Sequence, residues 1–220
     1  MKTLAQSRYV VSLAVALSFV ASAHGQVLIV DNLAASRSIS SSASVFDTQW
    51  EANKFVTDSH SYRLKSVSLL MDSASIPANS FQVEVRSDAG RQPGEVLAIL
   101  SGSSNPKIAD IYSYFTTSRV ILGPDTPYWI VASVRTGNGE YSWNFASDQS
   151  FVGVGQLGGW SESINGGATW SDEEVAFPSQ FSVVGEIVPE PSSCVLIVLG
   201  LAAIGFQKSS CFARYLRTRN

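Results

Sequence analysis

The 220-residue chain is predicted to be all-β: a single antiparallel β-sandwich, jelly-roll-like, between an N-terminal signal peptide and a C-terminal transmembrane segment. Short apolar–polar alternations, separated by Gly- and Pro-rich turns, predict this class. No stretch of about ten residues between the termini keeps a helical period without Gly, Pro or β-branched crowding. A propeller is not expected, since no internal repeat recurs at a fixed period.

Two of the predicted strands have one buried face each. Residues 81–86 (FQVEVR) alternate strictly, with aromatic and valine side chains toward the core and polar ones toward solvent. Residues 66–71 (SVSLLM) alternate in the same way, but Tyr62 and Leu64 upstream have the opposite phase. The change of phase predicts a bulge near Lys65–Ser66.

Three other segments are interpreted by composition. Residues 128–134 (YWIVASV) are apolar on both faces, which predicts a central strand covered on each side. Residues 180–188 (QFSVVGEIV) are predicted to form the closing strand. Residues 33–44 are Ser-rich and poor in large side chains, so we expect a mobile loop there.

The N-terminus has the three parts of a secretory signal peptide. Lys2 and Arg8 are followed by an apolar run at 9–20, and residues 21–23 form an A-x-A cleavage site. Residues 1–23 are therefore predicted to be removed by signal peptidase, which leaves His24 as the new N-terminus.

The C-terminus also has three parts. Residues 188–193 (VPEPSS) precede a 13-residue apolar run at 194–206, about 20 Å long as a helix. This is short for a membrane span. Positive charge beyond the run should keep the tail in the cytoplasm and residues 24–193 outside. That basic tail contains Lys208, Arg214, Arg217 and Arg219.

The arrangement at 188–220 resembles the PEP-CTERM sorting signal of Gram-negative bacteria, with Pro189, Glu190 and Pro191 as its motif. The resemblance implies transient insertion in the inner membrane, recognition by an exosortase, cleavage near the motif, and transfer to the cell surface or the extracellular matrix. The basic residues are spread out and interrupted by 209–212, a departure from the family pattern. An uncleaved, single-pass tail anchor is the alternative.

Residues 24–187, the predicted ectodomain, are large enough for one domain with its own core. They carry nine basic and seventeen acidic side chains, a net charge of −8. Nucleic acid is therefore not expected as a partner, because its binding needs a basic surface. Both cysteines, Cys194 and Cys211, lie in the C-terminal segment, so the ectodomain has no disulfide.

Within the ectodomain, the order of motifs over most of residues 30–187 resembles the choice-of-anchor R domain, a bacterial surface module found with different C-terminal anchors. The best-marked pieces are Pro93–Gly94, Tyr128–Trp129, Trp143–Asn144 and the segment Trp160–Trp170. The resemblance implies a surface location and no particular reaction.

Residues 163–170 (SINGGATW) differ by one residue from the S-x-D-x-G-x-T-W Asp box of sialidase-type propellers, with Asn165 in place of the Asp. Asn can cap the turn as Asp does, and Asn165–Gly166 is a strong hairpin signal. Sialidases carry several such boxes away from their catalytic site, whereas this chain has one. We interpret the segment as a structural hairpin.

No catalytic residue is predicted. Asp58, Ser59 and His60 are adjacent in sequence and so cannot supply the geometry of a catalytic triad. The acidic run 172–174 is interpreted as a solvated turn or as a guard of an edge strand. The chain is predicted to need no cofactor, although a structural Ca²⁺ held by this run with Asn165 or Asp148 is an alternative.

Tryptophan is the one unusual feature of the ectodomain. Exposed indole faces stack on sugar rings, and neighbouring amides read the hydroxyls. The candidate glycan-binding residues are Trp160, Asn165 and Trp143, and core filling is the alternative interpretation of these tryptophans.

We therefore expect an exported, non-catalytic protein with a structural or adhesive role in an extracellular polysaccharide matrix. A carbohydrate-binding module is the second hypothesis. A divergent glycosidase, which would require a pair of carboxylates across a cleft, is the third.

Overall fold

A computed structural model describes residues 25–189, which contain twelve β-strands and no helix. The strands are β1 (Gln26–Asp31), β2 (Arg37–Val45), β3 (Trp50–Val56), β4 (Tyr62–Met71), β5 (Phe81–Asp88), β6 (Pro93–Ser101), β7 (Asp110–Thr116), β8 (Ile121–Leu122), β9 (Pro127–Val134), β10 (Tyr141–Ala146), β11 (Gln156–Ser163) and β12 (Phe181–Ile187). All of the strand pairs are antiparallel. The prediction of an all-β antiparallel fold is confirmed.

The strands form one sheet that is nearly closed into a barrel. Its main path is β1-β12-β4-β7-β6-β5-β9-β3-β11, while β10 pairs with β2 and β4, and β8 pairs with β4. The segment before β11 returns to the first strand: Gly155 N–H donates to the Ile29 carbonyl (2.8 Å), and Asp31 and Val152 exchange two hydrogen bonds. These bonds bring the two ends of the path together and limit the exposed edge.

The main core lies inside this barrel and is built from alternate residues of the strands. Strand β9, between β5 and β3, is buried on both faces, as its sequence predicts. Its inward side chains join the main core, whereas Trp129 and Val131 join a second cluster on the outer face with Trp50 and Ala52. The outer face of this part of the sheet is therefore covered.

The bulge predicted from the phase change in β4 is present. Opposite β12, Ser66 pairs with Val184 and Leu64 pairs with Gly185, so Lys65 is the extra residue. Tyr62, Leu64 and Val67 all remain buried because the extra residue restores the inward phase.

The prediction of a loop at 33–44 is wrong in part, because Arg37–Val45 forms β2. The strand pairs with β10, and Ala43 and Val45 enter the main core. Small serines reduce the β-propensity of the segment, but pairing with a neighbouring strand decides its conformation.

No helix in the described part of the chain is long and apolar enough to cross a membrane. The predicted signal peptide (1–23) and the predicted transmembrane segment (194–206) lie outside the described residues, as do Glu190, Pro191 and the basic tail.

Candidate functional site

The SINGGATW segment forms a tight turn after β11 that is closed by its own side chains. Ser163 Oγ accepts a hydrogen bond from Gly167 N–H (2.8 Å). Asn165 Oδ1 accepts from Thr169 N–H (2.9 Å), and its Nδ2 donates to Thr169 Oγ1 (2.8 Å). Asn165 thus caps the turn as the Asp of an Asp box would, and its side-chain oxygen and nitrogen both form hydrogen bonds within the segment.

The two glycines of the turn have positive φ angles, 67° for Gly166 and 81° for Gly167. Gly167 also lies directly against the indole of Trp50, where an added Cβ would come within 2.3 Å of the ring. The backbone of the turn therefore packs directly against Trp50 on the outer face of β3, and this contact requires glycine at position 167.

Gly167→Ala should lower the free energy of unfolding by about 2–3 kcal/mol, because it combines a strained φ with a clash against Trp50. The matched control is Gly166→Ala, which has a similar φ but whose Cβ would meet only the Asp47 carbonyl, at 3.3 Å. Urea unfolding followed by tryptophan fluorescence measures both. Equal losses for the two variants would show that packing against Trp50 contributes nothing.

Beyond the turn, the chain returns over the outer face and covers it with Trp170. The guanidinium of Arg86 lies between two indoles, 5.9 Å from the Trp50 ring and 5.6 Å from the Trp170 ring. Arg135 stacks on Trp50 from 4.7 Å. These four side chains, Trp50, Arg86, Arg135 and Trp170, form a layer on the outer face of the sheet. Each cation–π contact stabilises this layer more strongly where water is excluded.

The charges of this layer meet at Glu84, whose side chain is fully buried. Its Oε2 accepts from Arg86 Nε (2.9 Å) and Nη2 (2.8 Å), and its Oε1 accepts from Gln82 Nε2 (2.6 Å) and Arg135 Nε (2.8 Å). A buried carboxylate with two guanidinium partners is compensated for its loss of water. We assign this network to holding the sheet and the returning segment together.

Glu173 anchors the other end of the returning segment. Its carboxylate accepts from Lys54 Nζ (2.7 Å) and from Gly159 N–H (3.0 Å). Arg91 donates to its backbone carbonyl (2.9 Å). The interpretation of 172–174 as a solvated turn is therefore wrong for Glu173, because the ion pair with Lys54 draws it onto the sheet.

Three of the carboxylates considered for Ca²⁺, those of Asp172, Glu173 and Asp148, accept hydrogen bonds from protein donors. Asp148 accepts from Ser150 Oγ, from Ser150 N–H (2.8 Å) and from Ser36 N–H (3.3 Å), and these hydrogen bonds lower its pKa. Within residues 25–189, no three His, Cys, Asp or Glu side chains are grouped to hold a metal ion.

The three candidate glycan-binding residues do not come together. Trp143 is fully buried, and its Nε1 donates to the Gln180 carbonyl (2.8 Å), so it offers no face to a sugar. Asn165 belongs to the turn described above. Trp160 is partly exposed, with its ring 5.9 Å from that of Phe145 and its Nε1 donating to the Ala176 carbonyl (2.6 Å).

Trp160 instead borders an apolar surface that sequence reasoning missed. Val175 is 68% exposed and Phe177 is 58% exposed, on either side of the Ala176 carbonyl that holds the indole. Phe177 has a φ of 53°, an uncommon value for a bulky residue. No sequence signal predicts this backbone conformation, because it follows from the bonds that tie neighbouring residues to β10 and β11.

Asp58 and His60 are near neighbours but form a local turn. Asp58 accepts from Tyr62 Oη (2.7 Å) and from His60 N–H (3.0 Å), and its other oxygen lies 3.0 Å from His60 Nδ1. Burial raises the pKa of Asp58, but these hydrogen bonds outweigh it, so the pKa is lowered overall. Burial first, and the Asp58 carboxylate second, raise the pKa of Tyr62. The group caps the start of β4.

A second buried carboxylate, Glu51, lacks such compensation. It lies on the inward face of β3, directly opposite Glu162 of β11, and its Oε1 finds no hydrogen-bond partner among the described residues. Burial first, and the charge of Glu162 second, raise the pKa of Glu51 well above its ordinary value. Glu51 is almost wholly covered, so it is out of reach of a substrate.

No protein-family model and no curated protein matches this chain. The resemblances to the PEP-CTERM signal and to the choice-of-anchor R domain therefore stay predictions from the residues that carry them.

Proposed function

We propose that this chain is an exported, C-terminally sorted cell-surface or matrix protein with a non-catalytic, structural or adhesive role. The observation that carries the proposal is the position of its two ends. β1 and β12 are antiparallel neighbours, and Gln26 pairs with Glu186, so the chain enters and leaves at the same end of the domain. A domain tethered from one end presents the rest of its surface outward.

The position of the sorting motif supports the same proposal. The backbone stays hydrogen-bonded up to Val188, whose N–H donates to the Ser61 carbonyl (2.8 Å), and Pro189 is exposed. Pro189, the first residue of the predicted motif, thus directly follows the last hydrogen-bonded residue that the structure describes. Its exposure supports the proposal, because proteases cut at accessible segments. For the fold, we propose that the nearly closed antiparallel sheet is a jelly-roll-like β-sandwich.

The test is the intact mass and location of the protein in exosortase-competent and exosortase-deficient cells. We expect the N-terminus at His24 in both. In competent cells, we expect loss of the C-terminal segment near residues 189–193 and recovery of the protein at the surface. A full-length C-terminus in both strains would contradict the sorting proposal and leave an ordinary tail anchor.

The second candidate function is carbohydrate binding at the surface around Trp160. The exposed Phe177 and the partly exposed Trp160 favour it, since aromatic faces stack on sugar rings. Phe177→Ser should abolish binding of a neutral glucan, while Ile164→Ser, which removes an exposed apolar side chain from the turn, should not. Equal binding by wild type and both variants, in affinity electrophoresis, would exclude this surface.

A further inference from the structure

A notch in the outer face of the sheet forms a groove of about 540 Å³ beside β4. β7 and β8 both pair with β4, with Phe115 opposite Ser66 and Ile121 opposite Arg63. Between these two pairs, residues 117–119 leave the sheet as a loop, and the chain returns to β4 at Val120, whose carbonyl accepts from Leu64 N–H (3.0 Å). Thr116 Oγ1 and Ser118 hold the loop through hydrogen bonds in both directions.

The groove has cationic walls. Arg63, Lys65 and Arg119 line it, and its lining includes no carboxylate. The bulge at Lys65 contributes, because an extra residue re-aims side chains on its strand. The Oε2 atom of Glu186 lies 3.1 Å from Lys65 Nζ and 3.7 Å from Arg63 Nη1. Arg119 forms no ion pair with any residue from 25 to 189. Arg63 and Lys65 thus share one carboxylate, and Arg119 brings the local charge to +2.

The remaining lining suits a sugar. The side chain of Phe115 is 55% exposed and offers an apolar ring face, and the loop adds the hydroxyls of Thr116, Thr117 and Ser118. A uronic acid residue presents the matching groups: a carboxylate for Arg or Lys, an apolar ring face, and hydroxyls.

We propose that this groove binds an acidic polysaccharide, one carrying carboxylates on its sugar rings. The inference rests on the proposed export of the domain, because such polymers lie outside the cell. It also explains how a domain with a net charge of −8 can bind a polyanion: the contact is confined to a narrow cationic groove, and repulsion from more distant carboxylates is screened beyond about 8 Å at physiological salt.

The surroundings of the groove favour a thin chain over a flat anionic surface such as a bilayer. Asp58 accepts a hydrogen bond from Tyr62 at the start of β4, and Asp125 N–H donates to the Asp58 carbonyl (2.7 Å). Asp58, Asp125 and Glu186 thus place three carboxylates near the start of β4, close to the cations that line the groove. A bilayer would meet both signs of charge, whereas a chain within the groove would meet the cations.

The experiment is affinity electrophoresis and calorimetry of the full chain in detergent, with polygalacturonate as the probe and its methyl ester as the neutral control. We expect binding to the acid form alone. Arg119→Gln should weaken it about tenfold, the lower end of the loss expected for a hydrogen bond between charged groups. Lys107→Gln removes the same charge from an exposed site outside the groove and should leave binding unchanged.

Equal weakening by both variants, or equal binding of the methyl ester, would overturn the proposal. Binding of the protein to phosphatidylglycerol bicelles, if Arg119→Gln abolished it, would also overturn the proposal, since the groove would then bind a membrane surface. Failure of the sorting proposal appears separately, in the mass and location of the protein. If the protein is sorted as proposed but does not bind polygalacturonate, only the proposal for the groove is refuted.

Discussion

Glu84→Gln is expected to lower the free energy of unfolding by about 3–5 kcal/mol, because it leaves the buried guanidinium of Arg86 without its charged partner. The carboxylate is fully buried and accepts hydrogen bonds from Arg86, Arg135 and Gln82. Arg86 cannot turn to water, since it lies between the indoles of Trp50 and Trp170. Urea unfolding at pH 7 measures the loss.

The control for this variant is Glu95→Gln on β6, which makes the same chemical change at an exposed position. It should alter the stability by less than about 0.5 kcal/mol. A loss below about 1 kcal/mol for Glu84→Gln would mean that water or another acceptor compensates Arg86, and the covered outer face would then not depend on this ion pair.

Glu51→Gln is expected to have the opposite effect and to stabilise the domain at neutral pH. Because burial raises the pKa of Glu51 above that of the unfolded chain, the native protein binds one more proton between the two pKa values. The stability of the wild type should therefore fall as the pH rises through that interval. A glutamine does not ionise, so it removes this loss, and we expect a gain of about 1–3 kcal/mol at pH 7.

The measurement is the free energy of unfolding of both proteins from pH 4 to pH 8. The difference should be small at pH 4, where the carboxyl is protonated in both states, and should widen toward pH 8. Glu162→Gln is the companion variant: it removes the neighbouring charge and should give a smaller gain. A constant difference across the pH range would refute the assignment to Glu51.

Periodicity predicted much of the β-structure because it is a local property of each strand. The phase change between Leu64 and Val67 located the bulge at Lys65, and the double-sided apolar run 128–134 located a central strand. The SINGGATW turn could also be predicted, since Asn165 and the two glycines make its hydrogen bonds within the segment.

The burial of charged residues could not be predicted in the same way. Alternation correctly placed Glu84 and Arg86 on the outward face of β5, but this face is covered by the turn and the segment that follows it. Glu51 lies on the same face of β3 as Phe55 of the main core, and no sequence pattern predicted a strand at residues 50–56. No sequence pattern predicted different burial for Trp143 and Trp160 either, yet Trp143 is fully buried and Trp160 is partly exposed.

Local patterns were enough to predict the antiparallel β-class, the bulge in β4, the central strand and the Asn-capped turn, since each depends on residues close together along the chain. Long-range contacts instead make residues 164–177 cover the outer face, bring Glu173 to Lys54 119 positions away, and group three cations around a notch in the sheet. These outcomes depend on which distant strands become neighbours. Side-chain period carries no information about that choice, because it describes one strand at a time.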